Sequence, residues 1–255
     1  LTWQGHCTVI GGVTTAWDAA HGVVSAMGDR FILVRPRIDE EAAGRAALAA
    51  SGREAEMRAA LAAAAGGLLQ HLDVSVLDGA EPPIERILAL ANVVTWTRTA
   101  VERDYRGDVV DVHAREAPTR FAKQLLQLWR GARVIGLDDA GAGALVERVA
   151  ADSMPPSRAA VLGALHQLRG SSATTTDIAR TVQRPRTTVD QTLQALVALH
   201  LARVTEVPGG AWQWALATGV GAPDAGVVAA LVPGNVGTST PSAQSAQSAP
   251  TQSPF

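Results

Sequence analysis

A cluster of polar side chains lies at the start of a predicted helix near residue 187. Its members are Arg184, Arg186, Thr187, Thr188, Gln191 and Gln194. Guanidinium groups bind phosphate oxygens, and threonine and glutamine form hydrogen bonds with phosphates and with the edges of bases. These residue types at the beginning of one helix therefore predict contact with DNA.

Three predicted helices and a hairpin must position this cluster. Apolar spacing and turn residues place them at 157–168, 177–182, 187–200, 202–207 and 211–216. Thr175 or Thr176 is expected to cap the second helix. In the third helix, large apolar residues recur from Val189 to Leu199 at helical spacing. This order resembles the winged helix-turn-helix family, which implies DNA binding by the third, recognition helix.

Positive charge is concentrated in the same region. Residues 155–214 contain six arginines and three acidic residues, whereas the residues before 155 contain 16 basic and 20 acidic ones. This distribution favours DNA as a partner. Because the excess of +3 is modest and such modules also bind proteins, a structural or protein-binding role stays open. Trp212 and Trp214 alternate along one strand, so we expect them to pack the wing onto the helices.

Two short apolar runs near the N-terminus predict buried strands. They cover residues 7–13 and 31–34, with a helical stretch at 16–27 between them. Strand, helix and strand are typical of an α/β sheet. Because two strands do not make a stable sheet and the chain begins with Leu1, we expect further sequence before this residue.

Three segments resemble AAA+ ATPases of the minichromosome-maintenance helicase type. They are C-T-V-I-G-G-V-T at 7–14, G-D-R-F at 28–31 and P-T-R-F-A-K-Q-L at 118–125. The resemblance implies that Thr14 or Thr15 senses the γ-phosphate, that Arg30 is a catalytic arginine finger and that Arg120 is a sensor on a helical lid. It also implies ATP and magnesium as cofactors of the intact protein, a homo-oligomer and association with DNA.

The chain departs from this family at the nucleotide site. A phosphate-binding loop needs G-x-x-x-x-G-K-[ST], and the single lysine, Lys123, lies in A-K-Q. We therefore expect no ATP or magnesium binding by this chain alone, and the missing motifs would lie upstream. The alternative is a non-enzymatic winged-helix transcriptional regulator with a helical dimerisation or sensing domain.

Other functional classes have little support in the sequence. Runs of about 18 apolar residues are absent, so we expect no membrane span and a cytoplasmic location. Cys7 is the single cysteine, which excludes an internal disulfide and a multi-cysteine zinc site. No G-x-S-x-G motif indicates a serine hydrolase. We expect no metal site.

The expected architecture is mainly α, in four parts. These are the α/β core remnant (1–37), a helical insertion and lid (38–152), the winged helix-turn-helix (153–218) and a low-complexity disordered tail (219–255). Within the second part, helices are expected at 38–72, 84–103, 119–130 and 140–151, with a short strand or an extended link at 109–113. In the first of these helices, the residues expected to make apolar contacts are Leu48, Met57, Leu61 and Leu68.

Overall fold

The computed structural model describes residues 4, 8–17, 31–218 and 224–231. This part of the chain is mainly α-helical with two small antiparallel sheets, which confirms the mainly helical class. Its elements are α1 (Glu40–Ala49), α2 (Glu54–Gln70), a 3-10 helix (Val74–Leu77), α3 (Ile84–Arg98), β1 (Val101–Arg103), β2 (Val109–Val112), α4 (Thr119–Val134), α5 (Asp139–Asp152), α6 (Pro156–Gln167), β3 (Ala173–Thr174), α7 (Thr175–Val182), α8 (Arg186–Ala198), β4 (Ala202–Thr205), β5 (Gln213–Leu216) and α9 (Ala225–Leu231).

Helices α3, α4 and α5 pack around a first hydrophobic core. Its largest members include Ile87, Leu90, Leu125, Trp129 and Val146. The buried face of α4 follows from apolar residues at helical spacing. Helix α5 begins where the Asp138 carboxylate accepts a 2.7 Å hydrogen bond from the Gly141 amide. The three helices form the helical unit of the molecule.

Residues 156–216 form the C-terminal unit around a second core. Helices α6, α7 and α8 pack against a sheet of strand order β3-β5-β4, in which Thr174 pairs with Gln213 and Val204 with Trp214. The core includes Leu165, Leu193, Leu196 and Trp214. Three helices followed by a hairpin are the order that the sequence predicts, and β3 is an addition to it.

Two of the described helices place buried residues in both cores. Helix α6 places Ala159 in the first core and Leu165 in the second. Helix α9 places Leu231 in the first core and Val228 in the second. The helical unit and the C-terminal unit are therefore packed together through continuous apolar contacts.

Helix α9 corrects the prediction of a disordered tail over 219–255. Residues 225–231 are helical, and Val227, Val228 and Leu231 are buried. The Asp224 carboxylate caps the helix by accepting a 2.9 Å bond from the Val227 amide. These apolar residues share one helical face, which is a local signal for a helix. The prediction of disorder is based on the Ser- and Gln-rich composition further along the chain and does not take this signal into account. Residues 219–223 and 232–255 lie outside the described residues.

The two predicted N-terminal strands are not present in the described residues. Residues 8–14 are exposed and irregular, and 31–34 also form no strand. Residues 7 and 18–30 lie outside the described part. The amides of Leu33 and Arg35 instead donate to Ser153 Oγ and Asp152 Oδ2, at 3.4 and 2.9 Å. Apolar β-branched segments do not form a sheet without neighbouring strands. Side chains at the end of α5 instead accept the hydrogen bonds of the Leu33 and Arg35 amides.

The predicted helix over 38–72 is two helices, and its expected apolar contacts are wrong. A turn at 50–53, with Gly52 at φ 85°, separates α1 from α2. Neither helix has a buried residue. The four residues expected to pack are at least half exposed: Leu48, Met57, Leu61 and Leu68.

The predicted helix over 84–103 ends earlier, at Arg98. Thr99 adopts extended backbone, and residues 101–103 form β1, which pairs antiparallel with β2. Val101 and Val112 of this hairpin pack against the second core. This contact with the C-terminal unit favours a strand where local spacing alone predicts a longer helix.

Candidate nucleic-acid interface

The start of α8 presents the predicted phosphate-binding residues to solvent. Gln183 adopts a left-handed conformation with φ 52°, which turns the chain sharply after α7. Pro185 then precedes the first helical residue, Arg186. Arg186 and Thr187 are exposed, whereas Arg184 is half-buried and its Nη1 lies 3.4 Å from Ser157 Oγ. This end of the helix is accessible to a phosphate backbone.

Two of the predicted DNA-binding residues already have partners within the chain. The Arg103 guanidinium donates to the amide oxygen of Gln194 at 2.9 Å and to the main-chain oxygen of Gln191. Gln194 Nε2 in turn donates to Asp190 Oδ2 at 2.9 Å. The β1–β2 hairpin therefore lies against the middle of α8. The sequence gives no sign of this contact, because it predicts residues 101–103 as helix.

The tip of the β1–β2 hairpin carries an exposed aromatic–arginine pair. Asp104 Oδ1 accepts 2.9 Å bonds from the amides of Arg106 and Asp108, which fixes the turn. Tyr105 is 88% exposed, and the guanidinium of Arg106 lies 5.2 Å from its ring centroid. Aromatic and arginine side chains of this kind suit contact with nucleic acid.

The β4–β5 hairpin is packed at its base and poor in basic residues at its tip. Trp214 is buried, and its Nε1 donates to Thr175 Oγ1 at 2.9 Å. Trp212 is half exposed, with its ring 5.9 Å from that of Trp214. Trp214 fits the packing interpretation. The same prediction is wrong for Trp212, which precedes β5 and is 46% exposed. The connection between the strands, residues 206–212, holds Glu206 and no arginine or lysine.

A cleft lined by arginine lies beside α8. It has a volume of about 460 Å³ and is bounded by the end of α3, β1, the start of α6 and one face of α8. Its arginines are Arg35, Arg98, Arg103 and Arg158. None of the described residues that line it is acidic. We call this site the arginine cleft.

Arg158 is held inside the arginine cleft by main-chain oxygens. Its Nη1 donates to the carbonyls of Thr97 and Thr99 at 2.7 and 2.6 Å. Burial, together with the positive charge of Arg103, lowers the pKa of Arg158 to about 10. Since this value is still well above neutral pH, the guanidinium stays charged, and the cleft is electropositive.

The residues predicted to contact a nucleotide lie apart from this cleft. Thr14 and Thr15 are exposed, and the Thr14 carbonyl accepts a 3.0 Å bond from the Trp17 amide. Arg120, in the first turn of α4, pairs with Glu116 at 3.3 Å. Within the described part of the chain, no hydrogen bond or ion pair joins either threonine to Arg120. Arg30 lies outside the described residues.

Comparison with known proteins gives no relative for this chain. No protein-family model, no curated protein and no solved structure matches it significantly. Within the described residues, no helix combines the length and the apolar character needed to cross a membrane. The same residues contain no group of three or more His, Cys, Asp or Glu side chains placed to hold a metal ion. The function must therefore be argued from the geometry of the site.

Proposed function

We propose that the C-terminal unit is a winged helix-turn-helix domain that binds double-stranded DNA, with α8 as the recognition helix. The order of three helices and a three-stranded sheet supports this assignment. The observation that carries the proposal is the exposed start of α8, where Arg186 and Thr187 are open to solvent beside the half-buried Arg184 on a well-packed scaffold. The N-terminal end of a helix dipole also favours an anion at this position.

The proposed contact surface combines the start of α8 with the tip of the β1–β2 hairpin. Arg184 and Arg186 would bind phosphates, while Tyr105 and Arg106 would extend the surface. Gln194 would read bases only after Arg103 releases its amide oxygen. Gln191 is exposed and is held by Arg103 only through its main-chain oxygen, so its side chain can reach a base directly. The wing would add little electrostatic attraction, because its tip carries no basic residue.

Between the two functions that the sequence indicates, the geometry favours a non-enzymatic regulator. An AAA+ core would need strands at 7–13 and 31–34, and the described parts of these segments are irregular. The helical unit, by contrast, packs directly against the recognition helix through the β1–β2 hairpin. In this proposal the helical unit serves sensing or self-association, and the protein acts on DNA in the cytoplasm.

The test is a salt titration of duplex binding by the full chain. A short random-sequence duplex is titrated with wild type and with the double variant Arg184→Ala/Arg186→Ala. We expect the variant to bind more weakly and to lose about two units of the slope of log affinity against log salt, because two phosphate contacts are removed. The double variant Arg45→Ala/Arg53→Ala removes the same charge from the exposed α1–α2 segment and should bind as wild type does.

Equal and weak binding by the wild type and the Arg184→Ala/Arg186→Ala variant would overturn the proposal. In that case the C-terminal unit would be a structural or protein-binding module. A loss of the same size in the Arg45→Ala/Arg53→Ala variant would also contradict it, because binding would then depend on total charge and not on the surface of α8.

A further inference from the structure

The arginine cleft has the features of a binding site for a small anion. We propose that it binds a small molecule that carries a phosphate or pyrophosphate group. Arg103 and Arg158 are the principal phosphate ligands, and Ser157 and Thr188 are the neutral polar groups beside them. This ligand site goes beyond the proposed DNA contact at the start of α8, because its principal ligands, Arg103 and Arg158, take no part in that contact. Thr188 and Gln191 of α8 also line the cleft.

The charges of Arg103 and Arg158 are not balanced within the described residues. Arg158 donates to two carbonyl oxygens, and Arg103 donates to the carbonyls of Gly107 and Gln191 and to the Gln194 amide oxygen. These acceptors are neutral, and in the described part of the chain neither arginine forms an ion pair with a carboxylate. The positive charge of Arg103 is one cause of the lowered pKa of Arg158. An anion between the two guanidinium groups would relieve this repulsion.

The start of helix α6 strengthens the attraction of the cleft for an anion. Helix α6 begins at Pro156, and Pro156, Ser157 and Arg158 line the cleft. Pro156 has no amide hydrogen, but the amides of Ser157 and Arg158 have no acceptor within the helix, and the helix dipole is positive there. Thr188 of α8 also lines the cleft and adds a hydroxyl group. The positive end of α6 and the arginine side chains therefore act on the same space.

The volume and the donor set favour a phosphate group on a small molecule. A volume of about 460 Å³ lies within the usual range for sites that hold small ligands. Guanidinium groups match the geometry of phosphate oxygens, and a doubly charged group compensates two arginines better than a single carboxylate does. DNA offers the same chemistry. However, Arg158 is half-buried and bonded to main-chain carbonyls, and a small molecule reaches such a group more easily than a duplex backbone does.

Calorimetric titration of the full chain with inorganic pyrophosphate tests the site. We expect saturable binding to the wild type, about tenfold weaker binding to Arg103→Gln, because a charged hydrogen-bond donor is lost, and unchanged binding to Arg45→Gln. Arg45 lies on exposed α1 and pairs with Glu41, so its substitution removes one charge without touching the cleft. Pyrophosphate should also raise the melting temperature of the wild type more than sulfate does at equal ionic strength. This second measurement needs no variant.

Two outcomes would overturn the proposal. The first is the absence of saturable pyrophosphate binding in the millimolar range, and the second is equal binding to wild type and Arg103→Gln. In the first case duplex DNA identifies the alternative: if Arg103→Gln weakens duplex binding, the cleft serves the DNA backbone and not a small ligand. Because the pyrophosphate titration contains no DNA, it can succeed or fail independently of the proposed function.

Discussion

The C-terminal unit and the α1–α2 pair are both helical, but they differ in how their apolar residues are used. Helix α8 has 13 residues and buries Val189, Leu193 and Leu196 among others. Helix α2 has 17 residues, most of them alanine or leucine, and buries none. A high content of apolar residues therefore does not by itself produce a packed helix.

The physical difference lies in the size and placement of the apolar side chains. In α8, large residues recur on one face and polar residues occupy the others, so one stripe can bury substantial area. In α2, alanine residues are distributed over every face of the helix. Gly66 and Gly67, in its later turns, have no side chain to pack. Alanine has the highest helix propensity, which explains why α2 forms, but its side chain buries too little area to hold the helix against a core.

The largest expected effect comes from removing the tryptophan at the centre of the C-terminal unit. Trp214→Ala should lower the free energy of unfolding by about 3–5 kcal/mol, because it empties a fully buried site and leaves Thr175 Oγ1 without its donor. Leu61→Ala in α2 should change it by less than about 0.5 kcal/mol, because Leu61 is 71% exposed. Urea denaturation measures both.

A large decrease in the free energy of unfolding of Leu61→Ala would show that α2 packs against another surface in solution. The difference in packing between α2 and α8 would then not hold. A small decrease in the free energy of unfolding of Trp214→Ala would instead mean that the second core does not depend on the indole ring. That result would contradict the complete burial of Trp214.

A second prediction concerns α9, the helix that joins the two cores. Leu231 is 1% exposed and packs in the first core. We expect Leu231→Ala to reduce the free energy of unfolding by about 2–4 kcal/mol, through lost transfer energy and a residual cavity. Leu48→Ala, at an 80% exposed position of α1, is the matched control and should be nearly neutral. Equal effects of the two substitutions would show that α9 is not docked.

The helices and the hairpin of the C-terminal unit could be predicted because their signals are local. Apolar periodicity and the Pro208–Gly210 turn both lie within a few residues of the element they define. The strand β1 could not be predicted in this way. Its conformation depends on packing of Val101 against the second core, which is distant in sequence. The predictions of strands at 7–13 and 31–34 are wrong for a related reason, because a strand is stable only when it pairs with another strand.

The candidate DNA surface follows from local sequence signals, whereas the arginine cleft depends on contacts between distant parts of the chain. Arg184, Arg186 and Thr187 are adjacent in sequence, so their common position at the start of α8 follows from one helix boundary. The cleft brings together Arg103 and Arg158, which are separated by more than fifty positions. In a chain rich in arginine, no spacing distinguishes these two from the others. Tertiary structure alone places them together.

A smaller effect is expected at the start of α7, within the C-terminal unit. The sequence predicts Thr175 or Thr176 as the cap, but Thr174 Oγ1 accepts the bond from the Asp177 amide, at 3.2 Å. Thr174→Ala should therefore lower the free energy of unfolding by about 1 kcal/mol at neutral pH. Thr176→Ala, at an exposed helical position, should have a smaller effect. A larger decrease in the free energy of unfolding from Thr176→Ala than from Thr174→Ala would contradict the assignment of Thr174 as the cap.

The cost of Thr174→Ala should also depend on pH. The Thr174 hydroxyl donates to Asp177 Oδ2 at 2.7 Å, and this bond, with smaller help from Arg180, keeps the pKa of Asp177 below its ordinary value of 3.8. A lowered carboxyl pKa stabilises the fold above the unfolded-state value, and this stabilisation is lost as the pH falls through the folded-state value. The difference in stability between wild type and Thr174→Ala should therefore narrow from pH near neutral to pH below 3.8. Urea denaturation at both pH values measures it. A difference that stays constant would show that Thr174 acts only through the Asp177 amide, because that bond persists when the carboxyl group is protonated.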